Sequence, residues 1–346
     1  MTPSLMTYLA FAVVCLLLLT LPFIPAFREW LRPTDLAALP VSANYTADID
    51  HFARRLHADV SAKLGRGDAT GYEDFDFVND SLQDMDWGKA KKRLISRRSI
   101  DSASAISSVQ PVYVDGNIRA GSESAFSALY ATGDIDLGGS ARIQDWAHAD
   151  GVVRLGQKSA ALRRVSAGTA IELGNEAWFE RLNAPTLRFG TVKPGPTPPT
   201  EDEQTPESYA DLPDAIQQTP ALFLIRGDCA LPPARVYRGS LVVTGFLTIG
   251  AGTTVIGDIK ARDGVSIGHR ASVQGAITCE KRIYLFKDSR AVGPVVAEGD
   301  ILIGASAVVG LPEAPTTVSG MNVIVEDGVT VHGTLWAHEI GMVKAA

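Results

Sequence analysis

Six histidines and three cysteines are the side chains here best suited to proton transfer or nucleophilic attack. His269, in Gly268-His269-Arg270, is the best-placed candidate general base, because an imidazole titrates near neutral pH and can take and return a proton. A solvated surface histidine is the preferred reading of it. His332 and His338 lie near Glu339, and the surface reading is preferred there too. His51 and His57 fall on a predicted helix, and His148 is isolated. Cys229 and Cys279 lie far apart in the chain, and no Cys/His cluster has zinc spacing. Three cysteines also exclude a disulfide scaffold. There is no phosphate loop of the G-x-x-x-x-G-K-[ST] type, no H-E-x-x-H and no G-x-S-x-G elbow. A glycan-cleaving enzyme would need carboxylates clustered on one strand face. Asp258, Asp263 and Asp300 do not recur at a common position of the repeat described next. The sequence therefore predicts no catalytic, cofactor-binding or metal-binding residue, and no enzyme.

What it predicts instead is a surface carried on a stacked repeat. Gly138, Gly156 and Gly174 recur at every eighteenth position, as do Leu137, Leu155 and Leu173, Ile135, Val153 and Ile171, and Ala131, Ala149 and Ala167. A second set repeats the step: Gly239, Gly257, Gly275 and Gly293; Leu241, Ile259, Ile277 and Val295; Leu247, Val265, Ile283 and Ile301; Ile249, Ile267, Leu285 and Ile303; Val243, Ala261, Cys279 and Ala297. Sets in register at a fixed period are the mark of a solenoid. A period of six lies inside the eighteen, so each coil holds three short strands and three corners. Alternation points every second side chain inward, and Cys279 reads as a small core residue at a site shared with Ala261 and Ala297. Gly250, Gly268 and Gly304 fall at corners, where a positive φ or a close approach calls for glycine. Leu311 to Thr317 reads as an inserted loop. The fold class is all-β, a β-helix (solenoid) with eighteen positions to each coil.

The N-terminal part differs. Leu5 to Phe27 runs without a charged, His, Asn or Gln side chain. As a helix it spans roughly 34 Å, enough for a hydrocarbon core. No Lys or Arg precedes it and no clean cleavage site follows, so a membrane anchor is preferred over a removed signal. Pro22 and Pro25 are expected to kink or end it. Arg28 and Arg32, with Trp30, follow the apolar stretch and place the body on the cytoplasmic side. Asn44-Tyr45-Thr46 matches a glycosylation sequon that arises readily by chance. Ile49, Phe52, Ala53, Leu56, Val60 and Leu64 have helical spacing, with a cap near Thr46 or Asp48. This amphipathic helix is read as a cap on the end of the body. Asp68 to Lys92 reads as loop, and the basic run Arg93 to Arg98 as a solvated face. The expected organisation is an anchor over 1–34, a helical and loop cap segment over 35–111, a first array over 112–190, a Pro-rich acidic linker over 191–220 and a second array over 221–346. The net charge of −7 argues against a nucleic-acid partner.

The stretch from about 222 to 343 resembles the bactofilins, polymer-forming bacterial cytoskeletal proteins. The resemblance is carried by GSLVVTGFLTIGAGTTVIGDIKARDGVSIGHRASVQGAI, Gly239 to Ile277, and VVAEGDILIGASAVVG, Val295 to Gly310. It covers about a third of the chain and implies a right-handed β-helix whose ends stack into homo-oligomers or filaments on the bacterial inner membrane, where they scaffold envelope-synthesis proteins. It brings no catalytic residue. The chain departs from that pattern in its first array, its Pro-rich insertion, its helical segment and its bilayer-spanning helix. The period of six also fits a membrane-tethered hexapeptide-type acyltransferase, in which His269 would be the base.

Overall fold

The computed structural model describes residues 3–24, 48–64, 74–78, 86–190 and 207–345. Arg28, Trp30, Arg32, the Asn44 sequon, the Thr46 cap, parts of the Asp68–Lys92 stretch and the prolines from Pro194 to Pro206 lie outside the described residues. Two units result, residues 1–48 and 49–346. The first contains helix α1, Pro3–Thr20, which tightens into a 3-10 turn over Leu21–Phe23. Pro22 sits at the start of that turn, where its missing N–H breaks the helical ladder. The Thr20 hydroxyl donates to the Leu16 carbonyl at 2.8 Å. Met6–Phe23 is the one helical stretch among the described residues long and apolar enough to cross a membrane.

The second unit is a β-solenoid of about 14 turns. In its first half, the strands of one side begin with β1, Phe75–Phe77, which pairs in parallel with the Arg93–Ser96 strand, itself paired with Val112–Val114. Stacking thus begins at Phe75, and not at Val112 as the repeat predicts. Arg93–Ser96 is no solvated run: Leu94, Ile95 and Ser96 are buried, and its basic residue Arg93 is exposed. The half ends in β2, Trp178–Phe189, a long strand that bends through all three sides of its coil.

The second half begins earlier than its repeat as well. Part of the expected linker is built onto its end. Strand β3, Ala215–Thr219, runs antiparallel to β4, Leu222–Ile225, which opens the parallel ladder. The predicted columns are real: Ile249, Ile267 and Leu285 are register partners, continuing through Ile303 to Val325, and all are buried. Val243, Ala261, Cys279 and Ala297 stack likewise. Only a short turn closed by a Leu311–Ala314 bridge occupies the predicted loop, and the strand resumes at Thr316. The half ends in β5, Thr330–Val343.

The two halves meet at these last coils. β2 and β5 pair antiparallel, with Phe179 opposite Gly341, Leu182 opposite Leu335 and Leu187 opposite Val331. All three sides take part, so one core runs through both halves. Antiparallel pairing follows from geometry. Turning a solenoid end over end reverses its strands but keeps its hand, so two halves joined last coil to last coil must oppose their strands.

The corners divide two tasks between two positions. Gly250, Gly268 and Gly304 have no positive φ; a Cβ on Gly250 would lie 2.5 Å from the Pro233 nitrogen of the coil below. The left-handed residue comes two places later and is Gly252, then Arg270, Asp288 and Ser306, at φ 69°, 56°, 58° and 59°. After it, inward hydroxyls supply bonds that the ladder lacks at the bend. Thr253 Oγ1 accepts from the Arg235 N–H at 3.4 Å and donates to the Pro232 carbonyl at 2.6 Å. Ser124 does the same in the first half, between the Ile106 N–H and the Gly121 carbonyl. Thr253→Ala is expected to destabilise the body by about 1–3 kcal/mol, since it strands a buried donor and acceptor. Urea unfolding checks this, and an unchanged midpoint would contradict it.

Candidate functional site

A solenoid unit presents its flanks and its ends. Helix α2, His51–Leu64, covers one flank. It does not cap the end, as expected from its pattern; Ala53, Leu56 and Val60 pack on the outward side chains Phe75, Ile95, Tyr113 and Tyr130 of successive coils. Those outward positions are aromatic or aliphatic, so this side of the ladder needs a cover.

Under the helix lies a polar stack. Tyr113 and Tyr130 lie parallel with ring centroids 5.1 Å apart, His57 stacks on both, and His148 continues the column 5.4 Å from Tyr130. The Tyr130 hydroxyl donates to Asp150 Oδ1 at 2.8 Å, and His148 stands between Asp150 (3.2 Å) and Ser166 Oγ (2.7 Å). Ser166, His148 and Asp150 thus have the composition of a nucleophile, a base and an orienting acid. Ser166 is buried, which bars it from substrate. Burial lowers the His148 pKa, against the pull of Asp150 and Asp50. A histidine with a depressed folded pKa contributes stability above its unfolded value of about 6.5 and loses it as pH falls through the folded value. The packing of α2 is therefore expected to loosen on acidification. Amide exchange of residues 51–64 across that range tests this; His148→Gln should flatten the response, and a response unchanged in that variant would refute it.

The free ends are plugged by aromatics. Trp87, on the 3-10 turn Trp87–Lys89, is buried in the core of the first half. Tyr209, on the turn Tyr209–Asp211, is fully buried at the other end, stacked 5.0 Å from Tyr237 and tilted 5.3 Å from Phe223. Ser208 caps that turn by accepting from the Ala210 N–H, and Glu207 pairs with Arg235. Beside this plug, β3 pairs among the described residues with β4 alone, and Ile216 to Thr219 are exposed. An uncharged edge of this kind offers its N–H and C=O groups to another strand.

The remaining candidates are dispersed. His269 is half-exposed at its corner, with Nδ1 2.9 Å from the Lys287 carbonyl and 3.7 Å from Asp288. His332 packs near the junction, with Nδ1 3.2 Å from the Pro185 carbonyl. His338 is 3.1 Å from Ser319 Oγ, its ring 4.0 Å from that of Trp336, and Glu339 is exposed. His51 sits edge-on to Phe52. Each carboxylate weighed above has a structural partner: Asp258 accepts from the Ala276 N–H, Asp263 pairs with Lys281 at 2.7 Å and Asp300 accepts from Asn322. The Lys281 ammonium holds the Asp263 carboxyl below its usual range. Burial pushes the Cys229 thiol up to about 11 and raises Cys279 too, the reverse of what a reactive thiol needs. Among the described residues, no three His, Cys, Asp or Glu side chains are grouped to hold a metal ion. The chain matches no family model, no curated protein and no solved structure.

Proposed function

We propose that this protein is a membrane-anchored structural scaffold of the bactofilin kind, held at the bacterial inner membrane by α1 with its body in the cytoplasm. One observation carries the reading. The body is a rod on the order of 65 Å long at ~4.8 Å per coil, whose inward side chains are spent on stacking and whose one titratable cluster lies covered beneath α2. A rod displays binding faces at fixed intervals, which is what organising envelope-synthesis proteins requires. Self-association runs through the β3 edge, since Trp87 and Tyr209 plug the cores of both ends.

Negative-stain electron microscopy and sedimentation of the full chain in detergent, and of the body without Leu5–Phe27, test the reading. Oligomers or filaments are expected. Gln217→Pro should disperse them by removing an edge donor, and His269→Ala should leave them unchanged. A monodisperse monomer would overturn self-association. Discrete trimers that bind an acyl-CoA and lose activity in His269→Ala would favour the acyltransferase reading, which rests on the six-residue rhythm and that corner histidine.

A further inference from the structure

Next to the junction, four outward side chains lie in one register column. Arg164 is the partner of Trp146 on one side and of Arg181 on the other, and Arg181 faces Trp336 across the antiparallel seam. Neighbouring strands are ~4.8 Å apart, so two guanidinium-bearing side chains leave the backbone on successive rungs. Like charges directly opposite in a ladder are destabilising. Each is buttressed by a ring and not by a carboxylate: Arg181 lies 3.7 Å from the centre of Trp336, and Arg164 lies 5.3 Å from the centre of Phe52 on α2.

Three other arginines of the first half are neutralised. Arg154 bridges Asp134 and Glu172, Arg188 meets Glu172 at 2.9 Å and Arg119 meets Asp136 at 3.4 Å. Arg164 and Arg181 have no ion pair among the described residues; Glu180 acts on Arg181 only from a distance. Burial, and then Arg164, hold the Arg181 guanidinium below the usual arginine range. Its Nε is buried and has no hydrogen-bond partner. An uncompensated pair of positive charges on adjacent rungs calls for a counter-group, an oxyanion.

We propose that Arg164 and Arg181 form a binding site for a phosphate group, built by α2, the Ala160–Ala167 strand, β2 and β5. Planar guanidinium forks match phosphate oxygens two at a time. A phosphate dianion neutralises both charges at once. The aromatic faces partly shield the forks from water, which strengthens the interaction. The site stands apart from the scaffold reading, because it involves neither the β3 edge nor α1.

Calorimetric titration of inorganic phosphate into the full chain, in non-ionic detergent and low-salt chloride buffer, tests the site. Saturable binding is expected, with a rise in unfolding temperature. Arg164→Gln and Arg181→Gln should each weaken binding about tenfold or more, the loss of one charge-assisted pair. Arg181→Lys keeps the charge but loses the fork, and should also weaken it. Arg163→Gln, at the exposed neighbour, should not. No saturable binding by the wild type would overturn the site, as would equal binding by the Arg164→Gln/Arg181→Gln double variant or an equal loss in Arg163→Gln. A glycerol phosphate arm and an arm with phosphatidic acid in phosphatidylcholine vesicles separate the two sources of the group. Binding of the first alone assigns a soluble phosphomonoester, and a vesicle gain that depends on both arginines assigns a lipid headgroup.

Discussion

Ile267→Asp abolishes folding of the second half at neutral pH. Ile267 is fully buried and stacks on Ile249 below and Leu285 above. Truncation to alanine removes apolar contact and leaves a cavity, together costing about 2–5 kcal/mol. Aspartate adds a carboxylate with no partner in an aliphatic column. It must either bury a charge or take up a proton, and both are expensive at pH 7. In a stack, each coil is stable only through its neighbours, so damage at one rung is felt by both. The alanine variant should fold with a lower denaturant midpoint by circular dichroism. The aspartate variant should aggregate or lack a cooperative transition. Lys260→Ala, on an exposed position of the preceding strand, should stay within about 0.5 kcal/mol of the wild type. An aspartate variant as stable as the wild type would mean that the column is not a shared interior.

That column was legible in the sequence because its period is constant, whereas what broke the period was hidden. The step from Ile118 to Ile135 falls one short of the period, and the step from Ile303 to Val325 exceeds it by four, yet both pairs are register partners. A one-residue shift erases a repeat that the backbone accommodates at a corner. The early coils are further masked by serines: Ser96 and Ser108 are buried, each accepting from an N–H two residues on. The left-handed corner position escaped notice because Arg270, Asp288 and Ser306 occupy it where glycine is the usual signal. Helix α2 was legible as amphipathic. Its resting place was not, since nothing in its own pattern tells a flank from an end; the sign lay in the distant outward aromatics Tyr113 and Tyr130. The paired arginines were invisible for a like reason. Arg164 and Arg181 sit one coil apart, off the regular period, and Trp336 joins them only through the seam.

The seam makes the second strong prediction. Gly341 faces Phe179, and a Cβ built on it would lie 2.2 Å from two ring carbons and 2.4 Å from the Phe179 carbonyl oxygen. A ring can turn aside, but the carbonyl belongs to the seam strand. Gly341→Val is therefore expected to part the last coils, at a cost of about 3 kcal/mol or more. The consequence is selective. The Glu176 N–H bonds to the Val343 carbonyl, the Val343 N–H to Ala177, the Phe189 N–H to Val329 and the Gly328 N–H to Phe189. Hydrogen exchange should show these four amides losing protection first, while Leu247 and Val265, deep in the second half, keep theirs. Retained protection at Glu176 and Val343 would mean that the halves do not meet there. The reason for the size of the effect lies in how the rod is terminated. Each half carries its own plug at its outer end, Trp87 or Tyr209. At its inner end it has only the other half, where Phe179, Leu182, Leu187 and Phe189 meet Val331, Leu335 and Val343. The seam is thus each half's missing cap, and opening it exposes two hydrophobic ends at once, each on the order of several buried side chains at roughly 1.5–3 kcal/mol apiece. A chain so opened has more to gain by pairing with another copy than by staying soluble, so its aggregation should rise with concentration as the seam amides lose protection.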